Sequence, residues 1–80
     1  MILKPLGTET TLTSATNVSS ATVVRLLNTS TAATVTIADG GTTVATFTIA
    51  QNEVVLVEKE AAHTLAGGAA IKAVKVAFTN

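Results

Sequence analysis

The chain has 80 residues and a mass of 8.0 kDa, which suits a single domain. Hydrophobic residues make up 48% and charged residues 12%, and five basic residues balance five acidic ones to a formal net charge of zero. This composition excludes intrinsic disorder and offers no basic surface for nucleic acid or an anionic membrane. Without cysteine, disulfides and thiolate metal sites are also excluded.

Valine, alanine and threonine dominate the chain, and β-branched Val and Thr favour extended strands over helices. Apolar runs of strand length recur between turn residues. The predicted strands, in chain order, are residues 2–6, 10–13, 22–28, 33–38, 42–50, 53–59 and 71–78. The strongest hairpin signal is 39–41, Asp-Gly-Gly, which suits the positive φ angles of a primed turn. The charged segment 58–63 is predicted to be a turn, at most a single helical turn.

These elements predict an all-β fold, a small antiparallel β-sandwich or barrel of six to eight short strands that covers residues 1–80 as one domain. Spacing leaves both a meander and a Greek key open. Residues 1–8 are either an N-terminal docking arm or an edge strand, because Pro5 does not suit a central strand. The predicted core consists of Val24, Leu26, Val35, Ile37, Phe47, Ile49, Val55, Val57, Val74, Val76 and Phe78.

Alternation leaves a second group of residues, most of them apolar, opposite the predicted core or at the chain end. This candidate assembly interface consists of Ile2, Leu3, Leu6, Val23, Arg25, Leu27, Val54, Leu56, Ile71 and Lys75. A domain of this size without disulfides or metal has a marginal core, so the excess predicts a homo-oligomer, with a trimer favoured. Two alternatives are that the chain becomes fully stable only on its host surface and that the loops of an irregular sandwich cover these residues. Arg25 and Lys75 are predicted to pair with glutamates of a neighbour.

Catalytic chemistry is poorly represented. Serines are present, but His63 is the one histidine, and no Gly-x-Ser-x-Gly pattern occurs. Glu58 and Glu60 flank Lys59, as in a solvated charged turn, and the hairpin accounts for Asp39. The two phenylalanines fit core positions, which leaves no aromatic platform for nucleic acid or sugar. The sequence therefore predicts a protein that is not an enzyme and that has no cofactor, metal, nucleic-acid partner or membrane partner.

Five segments carry a resemblance to known proteins: MILKPLG at 1–7, VRLLNT at 24–29, GTTVATFTI at 41–49, EVV at 53–55 and KAVKVAF at 72–78. Together they resemble small virion structural proteins of marine tailed bacteriophages, cyanophages in particular. Such proteins commonly decorate capsids, and others build necks, tails or fibres. The resemblance transfers no site residue.

The resemblance implies a capsid decoration (cement) protein on the outer shell, with the major capsid protein or other virion proteins as partners. A neck, tail or fibre component is the alternative among phage proteins, and a small ligand-binding β-module is the alternative from another class. The N-terminus lacks the pattern of a secretion signal. The chain is accordingly expected to be made in the host cytoplasm and to reside in the virion.

Overall fold

Residues 2–79, the part of the chain that this computed structural model describes, form eight β-strands and contain no helix. In chain order the strands are β1 (Ile2–Pro5), β2 (Thr10–Leu12), β3 (Val23–Asn28), β4 (Ala33–Asp39), β5 (Thr42–Ile49), β6 (Val54–Glu58), β7 (Thr64–Ala66) and β8 (Gly68–Thr79). The predicted all-β fold of short antiparallel strands is confirmed. The sequence does not predict β7, because its three residues are too few for alternation to show.

The strands form two antiparallel sheets that enclose one core. The larger sheet has the order β1-β8-β3-β6, with β2 also paired to β8, and the smaller sheet has the order β5-β4-β7. Strands β1 and β2 pair with successive parts of the twelve-residue β8, since Pro5 lies opposite Val76 and Thr10 lies opposite Ala73. Residues 2–5 therefore lie in an edge strand of the sheet.

The β4–β5 hairpin turns at Gly40 and Gly41, whose φ angles are 58° and 90°. Both angles are positive, as a type I′ turn requires, so the predicted primed hairpin is confirmed. Beyond the turn, Ala38 pairs with Thr43 and Ile37 pairs with Ala45. Val44 is thus the extra residue of a β-bulge on β5.

The core lies between the sheets and contains most of the predicted residues. The buried cluster consists of Leu12, Val18, Ala21, Val24, Leu26, Val35, Ile37, Ile49, Val57, Leu65, Ile71 and Ala73. Phe47 and Val55, also predicted for the core, are partly buried and pack against this cluster. The predicted core is therefore largely correct for β3, β4, β5 and β6.

The prediction for β8 is correct for the burial of Val74 and Val76, but it misses the residues of β8 that face the core between the sheets. In its register with β3, Ala73 lies opposite Leu26 and Val74 lies opposite Arg25, so the core side of β8 carries Ile71 and Ala73. Paired residues share a face. Val74, Val76 and Phe78 therefore lie on the opposite face, outside the core cluster. Alternation could not reveal this, because β8 is apolar on both faces.

Ile71 is the clearest correction, since it is predicted for an exposed interface and is completely buried. Its Cδ1 atom fills the space beside Gly67, only 2.7 Å from the position that a Cβ on residue 67 would occupy. A side chain at Gly67 would therefore force Ile71 to move within a packed core. This close approach gives the glycine between β7 and β8 its structural role.

A buried asparagine joins the two sheets at one end. Asn28 is completely buried, and its side-chain amide donates to the carbonyls of Thr31, at 2.9 Å, and Ile49, at 3.1 Å. Its Oδ1 accepts from the backbone N–H of Ser30 at 3.1 Å, and its own backbone carbonyl accepts from Asn52 at 2.8 Å. The end of β3 is thereby tied to the following turn, to β5 and to the β5–β6 turn.

The loop before β3 contains a left-handed turn. Val18, Ser19 and Ser20 have φ angles of 53°, 57° and 57°. This conformation costs an L-residue about 1–2 kcal/mol. Hydrogen bonds from Ser20 N to Asn17 Oδ1 and from Ala21 N to Asn17 O, each 3.2 Å, hold the turn, and Val18 is buried in the core. Packing and hydrogen bonding therefore offset the strain.

We expect Asn28→Asp to lower the free energy of unfolding by about 3 kcal/mol or more, because a buried carboxylate would face two carbonyls that have lost their donor. Chemical denaturation measures the effect. Asn17→Asp is the matched control, since Asn17 is exposed and uses only its acceptor oxygen, which aspartate retains. Equal stability of the two variants would contradict the role assigned to Asn28.

We expect Ser19→Gly to raise the free energy of unfolding by up to about 1 kcal/mol, because glycine adopts a positive φ without the Cβ clash. Ser19→Ala should give no such gain. Ser14→Gly is the control at an exposed serine without a positive φ, where glycine should only add unfolded-state entropy. A Ser19→Gly variant no more stable than Ser19→Ala would show that the turn is not strained.

Candidate functional site

The side of the larger sheet that faces away from the core carries a group of mostly apolar side chains. Leu27 lies opposite both Lys72 and Val54, and neighbouring pairs continue the surface across all five strands of the sheet. We call this surface the outer face. By register it consists of Leu3, Pro5, Thr11, Val23, Arg25, Leu27, Val54, Leu56, Glu58, Lys72, Val74, Val76 and Phe78.

The exposure of these side chains is unusual for a sheet surface. Val54 and Leu56 are each 49% exposed and Phe78 is 38% exposed, while Val74 and Val76 are buried although they lie outside the core cluster. An antiparallel sheet with one face on the core normally presents polar residues on the other face. The exposed apolar side chains make this face a candidate surface for contact with another molecule.

Charged groups on the outer face are few. Arg25 lies in the middle, opposite Val74 on one side and Leu56 on the other, and is half-buried. No described residue forms an ion pair with it. Lys72 and Glu58 complete the charged set, at positions opposite Leu27 and Val23. A partner that covers this face would therefore have to satisfy a guanidinium surrounded by apolar side chains.

The structure brings together six of the ten residues predicted for an assembly interface. These six are Leu3, Val23, Arg25, Leu27, Val54 and Leu56. By register Val74, Val76 and Phe78 lie on the same face; Val74 and Val76 are buried, as predicted, and only Phe78 is exposed. The signal that could have placed them there is the strong apolar content of both alternating sets in β8.

The remaining four predicted residues lie elsewhere. Ile2 and Leu6 are exposed on the other face of the edge formed by β1, where Leu6 N donates to Lys75 O at 2.8 Å. Ile71 is in the core. Lys75 lies on the core side of β8, and its Nζ donates to Ser19 O at 3.3 Å. Lys75 is therefore not part of the surface that carries Arg25.

A separate groove of about 490 Å³ lies beside β5 and β6. Its lining residues are Thr22, Ile37, Val44, Ala45, Glu58, Lys59, Glu60 and His63. His63 Nε2 is 3.7 Å from Asp39 Oδ2, too far for a hydrogen bond, and Asp39 is largely exposed. Among residues 2–79, no three His, Asp or Glu side chains are grouped so as to hold a metal ion.

Lys59 is the one buried charged residue that the described chain shows. Its Nζ donates to three backbone carbonyls, of Ala21 at 2.6 Å, Glu60 at 3.2 Å and Ala61 at 3.5 Å. Burial lowers the pKa of the Lys59 ammonium below its ordinary value. Its donors are used within the protein, so the geometry gives Lys59 a structural role in closing the turn after β6.

No family model, curated protein or solved structure matches this chain. Within the described residues, no helix has the length and apolar character needed to cross a membrane.

We expect the free energy of unfolding of the native chain, relative to that of Lys59→Met, to rise as the pH increases towards the ordinary pKa of lysine. Because the folded-state pKa of Lys59 is lowered, the unfolded chain binds more protons between that pKa and the ordinary lysine value. Deprotonation therefore favours the folded state, and no change is expected at lower pH. Denaturation at each pH measures the difference. A difference that stays flat or falls with rising pH would contradict the lowered pKa.

Proposed function

We propose that this protein is a non-enzymatic structural component of a phage virion, most concretely a capsid decoration (cement) protein that binds the outer shell. The observation that carries the proposal is the apolar outer face of the larger sheet. The phage assignment comes from the resemblance of the five sequence segments. The expected partners are the major capsid protein or other virion proteins, and the expected location is the virion, after synthesis in the host cytoplasm.

The energetics of the outer face support an assembling protein. Complete burial of a valine, leucine or phenylalanine side chain contributes about 1.5–3 kcal/mol. A side chain that is half-exposed in the isolated chain would gain about half of that free energy when a partner covers it. Val54, Leu56 and Phe78 together would then contribute roughly 3 kcal/mol, against a net stability of about 5 kcal/mol for a small domain. A partner on this face would therefore change the stability of the fold substantially.

Self-association through the same face is part of the proposal. A formal net charge of zero gives little electrostatic opposition between copies. Arg25 of one copy would meet acidic or carbonyl groups of its neighbour, and Glu58 on the same face is a suitable acceptor. The trimer favoured by the sequence stays a prediction.

Two alternatives follow from the same sequence. A neck, tail or fibre component would use the outer face equally well, and copy number distinguishes it. A copy number in purified virions comparable to that of the major capsid protein indicates decoration, and a far lower one indicates neck, tail or fibre. A ligand-binding β-module would use the groove beside Lys59, but the donors of that ammonium already bind backbone carbonyls.

We expect Leu56→Lys to lower the mass of the self-associated species in sedimentation across a concentration series. The added charge would lie within the proposed apolar contact, beside Arg25. Thr34→Lys, which adds the same charge at an exposed position of the smaller sheet, is the control and should leave the mass unchanged. If the native chain and both variants formed species of equal mass, the outer face would not be the assembly surface.

The cementing role has its own test. Particles assembled without this protein should lose their contents at a lower temperature than intact particles, and added native protein should restore the difference while Leu56→Lys should not. Particles that are equally stable with and without the protein would exclude cementing. In that case the copy number in virions would distinguish between the remaining positions in the particle.

A further inference from the structure

Strand β5 presents a free edge that lacks the usual protection against pairing. It ends the smaller sheet, is eight residues long, and contains no proline, glycine or charged residue. A long neutral edge of this kind is a template for another strand.

The other sheet edges in the described chain are protected. The edge formed by β1 contains Lys4 and Pro5, β2 is only three residues long, and β6 ends at Glu58. The short β7 is bridged on its outer side by Thr16, whose backbone exchanges two hydrogen bonds with Leu65. The difference singles out β5 as the edge available for strand addition.

We propose that β5 pairs antiparallel with β5 of a second copy of this chain, around a two-fold axis at Phe47. This contact uses a surface separate from the outer face and does not depend on a virion role. It would join two three-stranded sheets into one continuous six-stranded sheet. An exposed antiparallel edge of this length supplies about four to six hydrogen bonds between the copies.

The bulge determines where the axis lies. Because paired residues share a face, a two-fold axis between antiparallel strands must pass between a residue and its own symmetry mate. The bulge at Val44 leaves residues 45–49 as the regular part of β5. An axis at Thr46 would pair the bulged Val44, and an axis at Thr48 would pair residues of the β5–β6 turn. Phe47 is the centre that keeps every pair within 45–49.

The side chains in this register match one another. Phe47 lies opposite its symmetry mate, where two aromatic rings pack favourably. Ala45 lies opposite Ile49, which sets a small side chain against a large one. On the other side of the sheet, Thr46 lies opposite Thr48, a favourable cross-strand pair. The strand has no charged side chain that would select an oppositely charged partner, and its side chains are complementary to themselves. Both properties favour pairing with the same strand of a second copy.

Charges at the two exposed threonines test both the contact and its register. The variant Thr46→Lys with Thr48→Lys places two lysines opposite two lysines and should weaken dimerisation about tenfold or more. The variant Thr46→Lys with Thr48→Glu places lysine opposite glutamate and should restore dimerisation. The control, Thr8→Lys with Ser14→Lys, adds the same charge at exposed loop positions away from this edge and should have no effect.

All variants are made in the Leu56→Lys background, where the outer face no longer contributes, and analysed by sedimentation across a concentration series. Circular dichroism confirms that each remains folded. We expect a dimer for the background chain, the control and the lysine–glutamate variant, and a monomer for the double-lysine variant. A background chain that stays monomeric overturns the proposal, and so does a double-lysine variant that dimerises normally.

Failure of the lysine–glutamate variant to restore the dimer overturns the register at Phe47. If backbone hydrogen exchange in β5 slows only when a different virion protein is added, the edge belongs to that protein and the proposal is also overturned. A monomeric background chain would leave the role of the outer face intact, because that role is tested in the native chain.

Discussion

The hydrogen bonds of Asn28 determine which residues of β3 face the core and which face outward. The composition of both faces of the larger sheet depends on this choice. Asn28 lies opposite Ile71 at the end of β3, and its amide reaches the carbonyl of Ile49 in the facing sheet. A slip of one residue would turn this amide to the outside and leave its partners unsatisfied. With Asn28 inward, Leu26 is also inward and Leu27 is outward. The outer face is thus the consequence of one buried polar side chain.

A sheet that is apolar on both faces suits a small protein whose function is to assemble. The core between the sheets is built from small and medium aliphatic side chains, with Phe47 as the one aromatic that packs against it. With no disulfide to reinforce it, contact with a neighbour is an effective source of additional stability. In the proposed role, exposed residues such as Val54 and Leu56 are parts of an interface.

The fold class and most strands could be predicted because β-branched content, alternation and turn residues agree along the chain. The hairpin at Gly40 and Gly41 is the clearest case, since a two-residue type I′ turn requires a positive φ at both positions and glycine adopts it without strain. Which face of β8 points to the core could not be predicted, because both faces carry apolar residues, such as Ile71 on one and Val74 on the other. Only pairing with β3 decides between them.

Other features depend on contacts that have no local signal. The left-handed conformation of Val18 is unfavourable for a β-branched residue, and its burial in the core together with the hydrogen bonds of the turn offsets the cost. Lys59 is charged and lies next to two glutamates, so its sequence context predicts exposure. Its burial follows from three carbonyls that converge where β6 ends. These carbonyls belong to residues as distant in sequence as Ala21.

Covering of the outer face in the assembled state can be measured directly by thiol labelling, because the chain contains no cysteine of its own. Leu56→Cys places a single thiol on the outer face, and Thr34→Cys places one on the exposed side of the smaller sheet. The labelling rate of each is compared between dilute isolated protein and the assembled state. We expect the thiol at 56 to react much more slowly after assembly and the thiol at 34 to keep its rate. A thiol at 56 that reacts equally fast in both states would contradict the assignment of the outer face as the assembly surface.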